Sequence, residues 1–339
     1  MTGAEPATAE PATSPRADVT GTSAAEAGEP MWRRLMDPAN LANWAAPIAL
    51  VVLAIVFQVL NPTFLSLGNI ESMLSAASIL IVLAVGQTFV VATAGIDLSI
   101  ASAMTFAAVI FGAVFQFGLL AAIVAAIVAG LAVGVVNGLL IARGRITDFI
   151  VTLGTLSAAS GTALIVADGK PKTIISAPLL KLSTGTVWIF GYAFLLAVVL
   201  ALAAHVVLFH TRFGTYVLAT GGNKEAASAT GVSTARIKTA VYVIAGLAAG
   251  IAAILLVARV GAAEPASNTS FLLNSVAAVV LGGVSLFGGK ATIAGPVIGA
   301  LLLTALVNGL TLLGVSQFYQ PLSVGIVVVL AAFLTRFQK

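Results

Sequence analysis

Side chains able to do chemistry are scarce in this sequence, and their scarcity narrows the function. From residue 41 onward the carboxylates are Glu71, Asp97, Asp148, Asp168, Glu225 and Glu264, and there is no cysteine. Without cysteine there are no disulfides, thiolate metal sites or thiol nucleophiles. His205 and His210 have no further ligand at metal spacing, so they read as packed or interfacial side chains, and no metal site is expected. Neither a Ser/His/Asp grouping nor a pair of intramembrane carboxylates occurs, which argues against hydrolysis and proton coupling. The run GGVSLFGGK, from Gly282 to Lys290, ends like a phosphate-binding loop but fails its spacing. Val284 stands where the first glycine belongs, and Ala291 where Ser or Thr is required. It reads as a tight turn, so this chain is not expected to hydrolyse ATP.

Two polar features remain. Asp97, in AGIDLS (94–99), has a structural reading as a cap for the helix that follows and a functional one as a gate or pathway residue. The two are compatible. The second feature is a polar, glycine-punctuated island, His210 to Lys238. Within it Asn223 is a good N-cap, Glu225 suits a first helical turn, and Gly231 can stop a helix. The spacing predicts a helix of about two turns over 224–230, bracketed by Gly221-Gly222 and Gly231. Its small, neutral side chains suit docking into a partner's groove, although an ordinary interfacial helix would read the same way.

The elements that position these residues are apolar. Hydrophobic residues make up 60% of the chain and charged ones 8%, far from the charge content of a soluble domain. Ten candidate membrane spans follow, at roughly 45–60, 72–93, 98–117, 119–142, 149–167, 187–209, 237–260, 271–287, 291–314 and 318–335. Continuous apolar runs without period-two alternation make them helices, giving an all-α membrane protein. With the N-terminus inside, inner segments hold twelve Lys and Arg against four outside, Lys170, Lys172, Lys181 and Arg259. Both termini are therefore expected in the cytoplasm. The net charge of +4 reports topology rather than nucleic-acid binding, for which basic patches with interleaved aromatics are missing. Residues 1–40 read as a disordered cytoplasmic tail ahead of a transmembrane domain at 41–339.

Small residues at four-residue spacing, such as Gly130, Gly134 and Gly138 or Gly246 and Gly250, allow close helix approach within one bundle or between subunits. The motif VNGL occurs twice, at 136–139 ending the fourth span and 307–310 ending the ninth. An offset of five spans makes the copies opposite in topology, as in transporters built from inverted halves.

Several longer blocks resemble a known family. They are AGIDLS (94–99), GRITDFIVTLGT (144–155), TRFGTYVLATGGNKEAASATGV (211–232), VARVGAAEP (257–265), AAVVLGGVSLFGGKATIAGPVIGALLL (277–303) and VNGLTLLGVSQFYQ (307–320). The chain resembles the membrane permeases of bacterial ABC importers for monosaccharides, of the ribose/xylose/galactose type, from about Pro62 to Thr335.

The resemblance implies a fold similar to vitamin B12 and iron-chelate importer permeases, with about ten helices. It also implies a permease homodimer, one or two ATP-binding cassette chains that bind ATP and Mg, and an extracytoplasmic sugar-binding protein. No cofactor is expected on this chain. Gly221, Gly222, Asn223, Glu225, Ala226 and Gly231 fall on the family's coupling loop, here 210–238. Asp97 and Ser99 fall on its GIDLS block, and the translocation path or gate is expected at these two with Thr152, Thr155, Asn274 and Asn308. Ser157, Ser160 and Thr162 are further lining candidates. Where the family usually has Gly this chain has Ala101; where an acidic residue is common it has Asn274, and Glu264 replaces a frequent Gln. The last two bear on which sugar is carried. The competing reading is an ion-coupled secondary transporter or channel for a small polar solute, which predicts ion-coordinating groups at mid-membrane. A membrane scaffold that transports nothing would need no inverted repeat.

Overall fold

The computed structural model describes residues 38–266 and 269–335. The tail expected at 1–40 lies outside the described residues over 1–37. Among the described residues thirteen α-helices follow in order: α1 Pro38–Leu60, α2 Leu67–Ala92, α3 Ile100–Val114, α4 Leu119–Ala142, α5 Asp148–Val166, α6 Ala177–Thr184, α7 Tyr192–Phe209, α8 Arg212–Gly222, α9 Lys224–Ala229, α10 Thr234–Val260, α11 Thr269–Leu281, α12 Ala294–Leu312 and α13 Gln320–Thr335. Two two-residue antiparallel pairings accompany them: β1 (Lys172–Thr173) with β4 (Ala262–Ala263), and β2 (Thr186–Val187) with β3 (Phe190–Gly191).

Among the described residues seven helices are long and apolar enough to cross a membrane: α2, α3 with its 3₁₀ extension to Phe117, α4, α5, α7, α10 and α12. Three shorter apolar segments, Ala46–Leu60, Thr269–Leu281 and Gln320–Val329, fall at the first, eighth and tenth expected spans. Boundaries move where local chemistry overrides hydropathy. The sixth span, expected from 187, begins at Tyr192 because Thr186–Gly191 folds as a hairpin. The eighth, expected to 287, stops at Leu281, because Gly283 takes φ +77 and turns the chain.

α2 is buried on nearly every side from Leu74 to Ala92, so it is the central helix. α10 packs along it and lies closest to α4. A Cβ on Gly134 would strike the Tyr242 carbonyl, and one on Gly246 the Gly130 carbonyl. The glycine stripes are therefore the α4–α10 contact within one bundle, where backbones meet without intervening side chains.

The chain crosses from one face to the other along α2. Its C-terminal end meets α8, the turn 282–290 and the start of α10. That end defines one face of the molecule. Its N-terminal end lies with the C-terminal ends of α10 and α12 at the opposite face, where Arg259 Nη1 donates to the Ser72 carbonyl at 3.3 Å and Asn69 meets Asn308.

Candidate functional site

The linker between α2 and α3 is the most polar buried segment of the described chain. Ala94 adopts φ +53, which re-aims the backbone just after α2. Asp97 then folds back on its neighbour: its Oδ1 accepts the Ser99 amide at 2.8 Å and the Ser99 hydroxyl at 2.6 Å. Asp97 thus bonds the N-cap residue of α3 rather than a helical amide, so its capping role is one step removed.

The network continues outward from Ser99. Asn137 on α4 donates through Nδ2 to Ser99 Oγ at 2.7 Å, and Thr155 on α5 donates to Asn137 Oδ1 at 2.6 Å. Gln87 on α2 donates through Nε2 to the Asp97 carbonyl at 3.3 Å, while its Oε1 has no partner. Four helices are tied to one turn. Burial pushes the Asp97 carboxyl above the usual carboxylate range, Ser99 pulls it back through two hydrogen bonds, and the charge on Asp148 adds to the upward push.

A second polar link lies beside the first. Asp148, the first residue of α5, takes Lys238 Nζ in an ion pair and accepts the Tyr242 hydroxyl at 2.9 Å, with the Ile96 carbonyl 3.3 Å from that hydroxyl. Thr152 donates to the Asp148 carbonyl at 2.8 Å and lies 3.4 Å from the Ile96 carbonyl. Gly95 sits against both charges, since a Cβ there would meet Asp148 Oδ2 and Lys238 Nζ. The AGIDLS turn is thereby clamped between α4, α5 and α10.

The polar island holds two helices rather than one. α8 buries Gly214, Val217, Thr220 and Gly221, and Thr211 opens it by accepting the Gly214 amide at 3.3 Å. α9 is shorter than the expected 224–230; Asn223 caps it by accepting the Ala226 amide at 2.8 Å. Only Ala227 of α9 is buried, while Glu225, Ala226 and Gly231 are exposed. A Cβ on Gly221 would collide with the Ala92 carbonyl, and that same carbonyl accepts the Gly289 amide at 3.1 Å. Gly222 touches the Gly289 backbone. The polar island therefore rests on the end of α2 and on the GGVSLFGGK turn, whose Gly288 and Gly289 serve this packing.

The remaining site candidates lie at the opposite face. Asn308 on α12 and Asn69 in the first turn of α2 exchange two amide hydrogen bonds, each 2.9 Å. Asn274 is half-buried one turn into α11. The structure brings Asp97, Ser99, Thr152 and Thr155 together, sets Gly221 of the polar island against the end of α2 just before that turn, leaves Glu225, Ala226 and Gly231 exposed, and holds Asn274 and Asn308 apart from both.

A family profile described as branched-chain amino acid transport system / permease component matches residues 69–332. The chain belongs to this permease family. It is 37% identical over 317 residues to the ribose import permease protein RbsC of Escherichia coli strain K12, covering 89% of this chain and 96% of that protein. It is 39% identical over 302 residues to the RbsC of Bacillus subtilis strain 168, covering 85% and 91%. An L-arabinose ABC transporter permease protein, AraH of Azospirillum brasilense, is 35% identical over 294 residues, covering 85% and 87%. No solved structure matches the chain significantly.

In this permease the residues that sequence reasoning left out of the site are those whose partners are far along the chain. Asn137 was visible as part of a repeated VNGL motif, but its partners Ser99 and Thr155 are 38 and 18 residues away. Asp148 and Lys238 are 90 residues apart, beyond any spacing rule.

The Asp97 turn can be tested by two substitutions. Asp97→Asn keeps the acceptor for Ser99 and removes the cost of a buried charge, so it should fold at least as stably as wild type. Asp97→Ala strands the Ser99 amide and should cost about 1–3 kcal/mol. Because the folded chain holds the Asp97 proton to higher pH than the unfolded chain, this group's contribution to stability falls as pH rises through that interval. The Asn variant should lose that dependence. Thermal unfolding in detergent across pH reads all three; equal stability of the Ala and Asn variants would remove the turn-fixing role.

Proposed function

We propose that this permease is the membrane subunit of an ATP-driven importer for a monosaccharide or related polyol in the bacterial inner membrane. The observation that carries the reading is the α8–α9 segment: α9 is a short capped helix exposed at every residue but Ala227, and α8 before it is seated through Gly221 on the end of the central helix. On a permease without a nucleotide-binding motif, such a projection is shaped to receive a push from a soluble ATPase. In this reading that partner binds ATP and Mg, and an extracytoplasmic sugar-binding protein delivers cargo to a homodimer. The α8–α9 face is cytoplasmic, both termini lie there, and ten helices cross the membrane, the three shorter apolar segments included.

The inverted halves are supported by the two VNGL asparagines. Each lies near the end of its helix, and they bond at opposite ends of α2: Asn137 with Ser99, just beyond its C-terminus, and Asn308 with Asn69, in its first turn. The fold is in this reading of the vitamin B12 and iron-chelate importer type. The gate is the clamped AGIDLS turn, with Asp97, Ser99, Thr152 and Thr155, while Asn274 and Asn308 belong to the outer part of the path. Apart from Asp97 the residues assigned to the pathway are polar and uncharged, which suits a sugar, since it offers hydroxyls and no net charge. Relatives named for ribose and L-arabinose support the sugar class.

Reconstitution in vesicles with the cassette ATPase and the binding protein tests the reading. Labelled ribose, or the sugar its binding protein selects, should accumulate only with ATP supplied to the cassette side. Uptake that persists without ATP and collapses with an ionophore would establish the ion-coupled alternative instead.

A further inference from the structure

One face of α10 lines two neighbouring grooves that join at Ile244. The first, about 670 Å³, lies at the α8–α9 face between the end of α4 and the starts of α8 and α10. Arg143, Arg236, Ser233 and Thr239 form its polar side; Phe213, Val243 and Ile244 form its apolar side. The second, about 210 Å³, runs on between α2, α7 and α10, with walls such as Gly86, Phe89, Leu200, Ala203 and Ile251. Ile244 belongs to both grooves. Residues 236, 240, 243, 244, 247, 248 and 251 recur at three- and four-residue spacing, so one continuous stripe of α10 connects them.

The two grooves differ in chemistry in a particular order. The lower one presents two guanidinium groups, and no Asp or Glu lines either groove. Among the described residues neither Arg143 nor Arg236 forms an ion pair, the two pairs present being Lys170–Asp168 and Lys238–Asp148. The upper groove is walled by aliphatic and aromatic side chains. From Ala240 to Ile251 the stripe rises roughly 17 Å, close to the hydrocarbon depth of one leaflet.

We infer that this compound groove binds one anionic phospholipid of the leaflet on the α8–α9 side, its phosphate between Arg143 and Arg236 and one acyl chain along α10. An anionic head at the boundary and an apolar tail at leaflet depth is the occupant that matches both halves. A soluble anion would leave the upper groove unfilled, and a segment of a soluble partner would have to enter the hydrocarbon to fill it. Basic pockets between membrane helices are a recurring form of headgroup recognition. Naming that leaflet the cytoplasmic one rests on the orientation proposed above; the binding itself does not.

The test is native mass spectrometry of the full chain purified in mild detergent and incubated with phosphatidylglycerol or phosphatidylcholine of identical acyl chains. The wild type should retain one phosphatidylglycerol in clear preference. Arg143→Gln with Arg236→Gln should reduce that preference by about tenfold or more, since two cationic contacts with the phosphate are lost. Ala203→Trp, at an exposed wall of the upper groove, should lower retention with both arginines intact. Equal retention of the two lipids by the wild type overturns the proposal without any variant. A double variant that keeps phosphatidylglycerol but no longer co-purifies with the ATPase also overturns it, and makes the basic rim a protein contact. Sugar uptake is not a readout in this assay, so its outcome is separate from that of the import reading.

Discussion

Lys238→Met should destabilise the permease by about 3 kcal/mol, and adding Asp148→Asn should recover most of the loss. The two side chains are 13% and 21% exposed, so the pair is largely withdrawn from water, though not sealed from it. Removing the cation from such a pair leaves a carboxylate with poor solvation, which costs far more than the pair's net worth. Tyr242 would still donate to Asp148, and that bond limits the damage but cannot neutralise the charge. In the double variant the site is uncharged, and the amide oxygen introduced by Asp148→Asn can still accept from Tyr242. The midpoint of thermal unfolding in detergent reads the effect. A Lys238→Met chain as stable as wild type, or a double variant no better than the single, would show that the pair is solvated and not a clamp. Gly95 touches both charges, so the single variant should also loosen the AGIDLS turn.

Much of the membrane domain was legible because lipid imposes a simple requirement. A segment must be long, apolar and internally hydrogen-bonded, and the fourth span, read at 119–142, coincides with α4. The Asn223 cap was equally legible, because capping depends on residues three apart in sequence. α8 was not. Its sequence, RFGTYVLATGG, is poor in strong helix formers, and what stabilises it is docking of Gly214, Val217 and Gly221 onto other elements. The Asp97 turn shows the same limit. Its local hydrogen bonds to Ser99 could be anticipated, whereas the bridge through Asn137 to Thr155 depends on how α4 and α5 pack. Buried polar groups in a bundle are satisfied by whichever helix stands opposite, and that is a property of the fold.

Replacing both Glu225 and Ala226 by Trp should uncouple transport from ATP hydrolysis while leaving the permease folded. Both residues are exposed, and neither supports the bundle; the seating of α9 rests on Ala227 and on the Asn223 cap. The added bulk therefore changes what a partner meets, not how the chain packs. α9 is joined without slack to α8, and α8 ends where Gly221 lies against the Ala92 carbonyl. Two residues beyond Ala92 the backbone turns at Ala94 into the Asp97 network. A displacement of α9 has a short, rigid route to that turn, and a loose fit at α9 wastes it. Coupling energies between sites are typically 1–3 kcal/mol, so uptake should fall by about 5- to 150-fold. ATP hydrolysis by the assembled complex should persist, and the thermal midpoint should stay within a few degrees of wild type, since these substitutions are at exposed positions. Wild-type uptake per ATP in the double variant would break the mechanical link between α9 and the Asp97 turn. The control is Gly221→Val, which strikes the Ala92 carbonyl directly and should lower stability and uptake together. Loss of coupling without loss of stability distinguishes a surface that receives force from one that merely holds the bundle.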